Sequence, residues 1–293
     1  MKLQGIFPPI TTPFDHAGNL YPAKVQHNVE KWNRTALSGY VVCGSTGETP
    51  LLTAEEKSTL WELVAKHAAP EKLLIAGTGV DGVLPTVCLT NRAAELGYKA
   101  ALVLTPHYFK NQMNRPETQL LYYRSVADRA KVPILIYNFP QMTGVDITAD
   151  TVVRLSEHPN IIGMKDSSGN IEKMMSIVRD ARTGFQMLVG SAQILLPALL
   201  MGACGGILAY SNAAPYSTIA IWEAFRTREE EAARDWQARV GRAATVSGKH
   251  GIPGLKHAMD LNGYYGGPPR LPMSVPTPEA KKEIEEAFKD LKG

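Results

Sequence analysis

Cysteine is scarce in this chain, and so are long apolar runs, paired histidines and any surplus of one charge. Three cysteines occur in 293 residues (Cys43, Cys88 and Cys204), odd in number, scattered, each in an apolar context. That pattern excludes a disulfide framework and suits the reduced core of a cytoplasmic protein. No stretch reaches the ~20 apolar residues that a spanning helix needs, and the opening MKLQGIFPPI lacks the apolar centre of a secretory leader. A cytoplasmic location without a membrane partner is therefore expected. The formal net charge is +3 with no basic block, so no nucleic-acid footprint is indicated. The seven histidines never fall at H-x-H or H-x-x-x-H spacing. A dedicated metal site is not expected, and nothing calls for another cofactor.

Apolar residues make up 44% of the chain and charged residues 20%, enough for a large core. Short apolar runs recur at intervals of about twenty to thirty-five residues: GIFPPIT (5–11), GYVVCGS (39–45), LLIAGT (73–78), AALVLTP (100–106), PILIYN (133–138), IIGMKDS (161–167), QMLVGS (186–191) and GGILAYS (205–211). They lack polar alternation, as parallel strands buried on both faces do. Helical signals fill the gaps. Thr53-Ala54-Glu55-Glu56 reads as a capping box, and Gly39, Gly97 and Gly202 sit where a helix should stop before the next strand. Eight such units predict a (β/α)8 TIM barrel over residues 1–225. Residues 226–293 contain no further strand run. They read as a C-terminal helical extension: a charged helix from Arg228 to about Val246, a Gly/Pro-rich stretch, and a last helix opening at Thr277-Pro278.

In a barrel the chemistry gathers at the carboxyl ends of the strands. Those ends carry Ser45, Thr46, Thr105, Tyr108, Tyr137, Lys165 and Ser167, rich in hydroxyls and poor in carboxylates. Paired acids for glycoside hydrolysis are missing, and so are ligands for a metal-dependent aldolase. Lysine offers imine formation with a carbonyl, which requires a neutral amine and works best in apolar surroundings. Lys165, flanked by Ile161, Ile162 and Met164, reads as such an amine. Read alone, it is equally a strand end that has just surfaced. Tyr137, ending the preceding strand, is placed to shuttle protons once hydrogen-bonded to Ser45 or Thr46; its plain alternative is an aromatic plug at the rim. The GSTGE loop (44–48) presents backbone N–H groups and hydroxyls that suit the carboxylate of a 2-oxo acid, though small polar turns after strands are common. Gly77-Thr78-Gly79-Val80-Asp81-Gly82 satisfies G-x-G-x-x-G, yet it follows the third run, with no acidic residue at the next strand end. Dinucleotide binding is not expected there. His250 and His257 read as packing or surface residues.

Taken together, PPITTPF, GSTGE, AGTG, VLTPHYF, IYNFPQMTG, NIIGMKDSSG and GGILAYSN resemble the dihydrodipicolinate synthase / N-acetylneuraminate lyase family of Schiff-base aldolases in order and spacing across essentially the whole chain. The resemblance implies a barrel with C-terminal helices, assembled as a homotetramer of tight dimers, acting on pyruvate and an aldehyde. It implies Lys165 as the Schiff-base lysine, Tyr137 as general acid/base, and Ser45 as a hydroxyl of the proton relay. Tyr108 matches a tyrosine that crosses the dimer interface, Thr46 a binder of the pyruvate carboxylate, and Ile207 a residue lining the pyruvate site. Where dihydrodipicolinate synthases read Y-N-x-P-x-R-T-G, this chain has Met142, which argues against gripping the carboxylate of aspartate semialdehyde. HPNIIGMKDSSG and GIPGLKHAMDLNGYYGGPPR are similar to the 4-hydroxy-2-oxoglutarate aldolase branch, whose serine near the distal part of the substrate matches Ser167; that branch often reads GSNGE where this chain has GSTGE. The expected reaction is cleavage of a 4-hydroxy-2-oxo acid to pyruvate and an aldehyde such as glyoxylate. Condensation of pyruvate with aspartate semialdehyde, chemistry on deoxy-sugar acids, and a non-catalytic barrel that binds a 2-oxo acid are the alternatives.

Overall fold

The computed structural model describes residues 1–291. All eight apolar runs form strands: β1 (Gly5–Phe7), β2 (Gly39–Val42), β3 (Leu73–Gly77), β4 (Ala100–Leu104), β5 (Ile134–Asn138), β6 (Ile161–Asp166), β7 (Gln186–Val189) and β8 (Gly205–Ile207). From β2 to β8 each pairs in parallel with its sequence neighbours, and β1 pairs with β8. The circle closes between β1 and β2 just beyond the regular ladder, where Ile10 N donates to Val41 O (2.9 Å) and Val41 N to Pro8 O (3.0 Å). The molecule is a (β/α)8 barrel.

Burial on both faces explains the unbroken apolar runs. Successive side chains point to opposite faces of a strand, so Phe7, Val41, Ile75, Leu102, Leu135, Leu188 and Ile207 fill the barrel axis. Their neighbours Ile6, Val42, Ala76, Val103, Ile136 and Val189 pack beneath the helices with Trp32 and Trp61. The Thr53 capping box forms in both directions, Glu56 N donating to Thr53 Oγ1 (3.2 Å) and Thr53 N to Glu56 Oε2 (3.0 Å). Thr277 likewise caps the final helix, Pro278–Phe288.

Gly97 and Gly202 take positive φ as expected, but Gly39 does not. It is the first residue of β2, and a Cβ there would lie 2.0 Å from Leu73 O. Close strand approach, not a helix stop, requires glycine at that position. The extension also departs from expectation: helix runs from Glu230 to Leu261, through most of the Gly/Pro-rich stretch. Gly251 breaks it with φ 61° and ψ −153°, a conformation essentially reserved for glycine. Pro253 then falls in the first turn of a second segment, where its missing N–H costs nothing. The helix thus continues across a kink into the Gly/Pro-rich stretch, whose remainder up to Thr277 is irregular.

Candidate active site

The pairing of β5 with β6 slips by one residue after Ile134, which faces Ile161, while Leu135 faces Gly163. Without that bulge Met164 would stand opposite Tyr137. With it, Tyr137 faces Lys165 and Asn138 faces Asp166, a re-aiming of side chains typical of bulges. Lys165 is 4% exposed, with Leu188 on its other flank in β7, and its Nζ lies 4.1 Å from the centroid of the Tyr137 ring. Ile161 and Met164 turn outward to the helical layer, and only Ile162 packs on the inner cluster. The apolar surroundings expected from sequence neighbours are supplied by the adjacent strands.

Residues one position on face the other way and lock that register. Asn138 Nδ2 donates to Asp166 Oδ1 and to Asp146 Oδ1, both at 2.8 Å. Ser168 Oγ donates to Asp166 Oδ2 at 2.5 Å. Lys173 Nζ lies 2.7 Å from Asp146 Oδ1 and 3.6 Å from Asp166 Oδ1. Buried carboxylate and amide are thus satisfied together, as a network of this kind requires.

Lys165, Tyr137, Ser45, Thr46 and Ser167 open on one cavity of about 490 Å3. Ser45–Gly47 form a single 3-10 turn, bracketed by two non-glycine residues of positive φ, Cys43 (62°) and Glu48 (59°). Such backbone is strained and persists only when the surroundings hold it. Thr12 Oγ1 donates to Gly47 O (2.6 Å). Glu48, itself buried, accepts from Arg270 N (2.8 Å) and makes a close, off-axis ion pair with Lys256 Nζ at 2.6 Å. Lys256 is fully buried and also donates to Thr12 O (2.9 Å) and Pro268 O (3.0 Å). Burial draws its ammonium pKa down, opposed by the charge of Glu48.

Three of the expected site residues are placed as follows within a single protomer. Among the described residues the Tyr137 hydroxyl makes no hydrogen bond to Ser45 or Thr46; its ring lies under Lys165 and stacks with Phe139 at 5.8 Å. Ile207 is fully buried in the inner cluster and is not part of the cavity lining. Tyr108 is 77% exposed, edge-on to Phe109 at 5.1 Å, on a loop that Asp81 anchors through the N–H groups of His107 and Tyr108. It does not reach this chain's cavity.

Several lining residues escaped the sequence reading. Gln193 comes from the 3-10 turn after β7, and Ser247, Gly251 and Ile252 from the kinked helix; Met142, singled out in the sequence, joins them from the short helix Pro140–Thr143. Among the described residues Lys165 is the only cationic side chain lining the cavity, and no carboxylate lines it. One signal was available for Lys256: GIPGLKHAM sets a lysine inside an apolar stretch, the pattern that drew notice to Lys165. No three His, Cys, Asp or Glu side chains among the described residues come together as a metal-binding group would, and no helix is long and apolar enough to cross a membrane.

A lysine and a tyrosine on adjacent strands at the mouth of such a barrel agree with what the sequence matches. Residues 2–291 fit the dihydrodipicolinate synthetase family. The chain belongs to that family. A 4-hydroxy-tetrahydrodipicolinate synthase of Methanothrix thermoacetophila is 34% identical over 291 residues, 97% of this chain and 96% of the relative. A probable mitochondrial 4-hydroxy-2-oxoglutarate aldolase of Emericella nidulans is 33% identical over 292 residues, 98% of this chain and 94% of the other. Among solved structures, a dihydrodipicolinate synthase of Bacillus anthracis superposes with a TM-score of 0.95 at 29% identity, each chain covered completely. A prophage protein of the family from E. coli K12, solved with pyruvate, gives 0.92 at 25% identity and 98% coverage of both chains. Membership makes this protein an enzyme, a pyruvate-dependent Schiff-base aldolase in the broad sense of the family, and removes the non-catalytic reading.

Proposed function

We propose that the protein is a class I aldolase that cleaves a 4-hydroxy-2-oxo acid, foremost 4-hydroxy-2-oxoglutarate, to pyruvate and an aldehyde, here glyoxylate. The observation that carries this reading is the buried Lys165 amine held 4.1 Å from the Tyr137 ring at the floor of an otherwise ion-free cavity. Lys165 adds to the keto carbon, water leaves, and an iminium forms. Tyr137 takes the proton of the C4 hydroxyl as the C3–C4 electron pair moves toward the iminium nitrogen. The aldehyde departs and leaves an enamine. Protonation at C3 restores the iminium, and water returns pyruvate and the free amine. Thr46 and the N–H groups of Ser45 and Thr46 would hold the pyruvyl carboxylate, Ser45 would pass protons, Ile207 would back the pyruvyl methyl from the inner layer, and Ser167 would meet the distal end.

Met142 is 72% exposed at the cavity edge and offers no guanidinium to a second carboxylate, which supports cleavage over condensation with aspartate semialdehyde. The relative from Emericella nidulans supports the same choice, whereas the first relative named supports the synthase. Exposed Tyr108 and Phe109 support assembly into a homotetramer of dimers, in which Tyr108 reaches the site of a neighbouring protomer.

Borohydride reduction in the presence of pyruvate should fix a three-carbon adduct on Lys165, lost in Lys165→Ala. Pyruvate release from 4-hydroxy-2-oxoglutarate should exceed both release from deoxy-sugar acids and consumption of pyruvate with aspartate semialdehyde. An adduct on another residue defeats the mechanism; faster condensation with the semialdehyde defeats the substrate assignment.

A further inference from the structure

The kinked helix forms a wall between two cavities. On one face, Ala244, Ser247, Gly248, Gly251, Ile252 and Leu255 line the catalytic cavity, spaced as one helical stripe. On the other face, Lys249, His250 and Pro253 line a groove of about 620 Å3 shared with the final helix. Across that groove Glu283 grips both: Lys249 Nζ lies 2.9 and 2.8 Å from its two oxygens, and His250 Nε2 lies 2.8 Å from Oε2. Gly254 leaves room for His250, four residues back across the kink, since a Cβ there would meet His250 Cβ at 2.5 Å; Ile284 Cδ1 of the final helix would lie 3.3 Å away. Gly251 breaks the helix between the gripped residues and Ile252, so the wall has a joint at this point.

We infer that Glu283 is a positioning residue for the distal half of the catalytic cavity: by clasping Lys249 and His250 it sets the angle of the joint, and so the placement of Ser247, Gly251 and Ile252 against the substrate beyond C4. This inference rests on the proposed aldol cleavage. It assigns the final helix a part in substrate discrimination, although none of its side chains reaches the cavity. Pyruvate ends at C3 and lacks the half of the substrate assigned to this wall, so imine formation should be independent of the clasp.

Glu283→Gln should raise KM for 4-hydroxy-2-oxoglutarate about tenfold, below the ~100-fold effect of displacing a binding group by an ångström, and leave borohydride trapping of pyruvate on Lys165 unchanged. The clasp is solvent-facing and screened by salt. Raising the ionic strength should therefore increase the wild-type KM toward that of the variant, while the variant responds less. Lys249→Met supplies a second arm, with a smaller rise in the same direction, should Glu283→Gln fold poorly. An unchanged KM in the folded variants, or an equal loss of pyruvate trapping and cleavage, overturns the inference. A wild-type protein that traps pyruvate but cleaves no 4-hydroxy-2-oxo acid overturns the proposed reaction instead. If it still condenses pyruvate with an aldehyde, KM for that aldehyde reads the clasp.

Discussion

Replacing Lys256 with methionine isolates what holds the GSTGE loop in its strained form. In the folded protein the Lys256 and Glu48 side chains are 1% and 0% exposed and 2.6 Å apart. Methionine keeps an unbranched apolar stem and removes the charge, which lies 4.7 Å from the centroid of the Phe14 ring, together with the donors to Thr12 O and Pro268 O. Glu48 then remains as a buried anion with one backbone donor, Arg270 N. Breaking a buried pair from one side typically costs about 3–5 kcal/mol. At roughly 2–3 °C per kcal/mol for a chain of this size, Tm should fall by about 6–15 °C. The double variant Lys256→Met/Glu48→Gln removes both charges and should recover at least half of that loss, because the dominant penalty is the orphaned carboxylate. Thermal unfolding of the four proteins at matched concentration gives the cycle. In Lys256→Met the KM for pyruvate should also rise, because Cys43 and Glu48 would relax from positive φ and carry Thr46 with them. Additive losses in the double variant, or a Tm within 2 °C of wild type for Lys256→Met, refute the reasoning.

Asn138→Ala should lower stability by about 1–3 kcal/mol, from the buried Asp166 carboxylate and Ile147 N–H that it abandons, and should cut kcat at least tenfold by loosening the register of Tyr137 against Lys165. Steady-state rates and urea unfolding on one preparation check both, and a normal kcat would show that the register is held elsewhere. The hydrogen-bonded Arg270 guanidinium holds the Glu56 carboxyl below its ordinary 4.5. Its contribution is therefore present above pH 4.5 and lost as pH falls through the depressed value. The Tm gap between wild type and Glu56→Gln should be present at pH 7, for a partly buried bidentate pair, and should close in acid; a gap that widens in acid contradicts the sign. Cys43 is buried and its thiol is raised in pKa, burial pushes Cys204 up to about 12, and Cys88 is exposed. A thiol reagent at neutral pH should label one cysteine per native chain and three after denaturation, and prompt labelling of the half-buried Cys204 would contradict its raised pKa.

Strand content was legible because it depends on composition over five or six residues. Parallel strands covered on both faces need unbroken apolar runs, and PILIYN or AALVLTP can do little else. The Thr53 and Thr277 caps were legible for the same reason, since donor and acceptor lie three residues apart. The extension was less so. GKHGIPG is rich in helix breakers, but one glycine in a conformation open to glycine alone confines the break to a single joint.

What the sequence determined by itself is the barrel, the family, and the placing of Lys165 and Tyr137 at neighbouring strand ends. Tertiary structure alone decided which way they face. A one-residue slip between β5 and β6 sets Lys165, rather than Met164, beside Tyr137, and nothing in NIIGMKDSSGN announces it. Register is a property of two strands at once, and a slip by one residue turns every later side chain to the opposite face. The pairing of Glu48 with Lys256 and the grip of Glu283 on the kinked helix depend on the same physical fact. Their partners lie 208 and 33–34 residues apart, beyond any local pattern, and only the closed barrel with its extension brings them within reach.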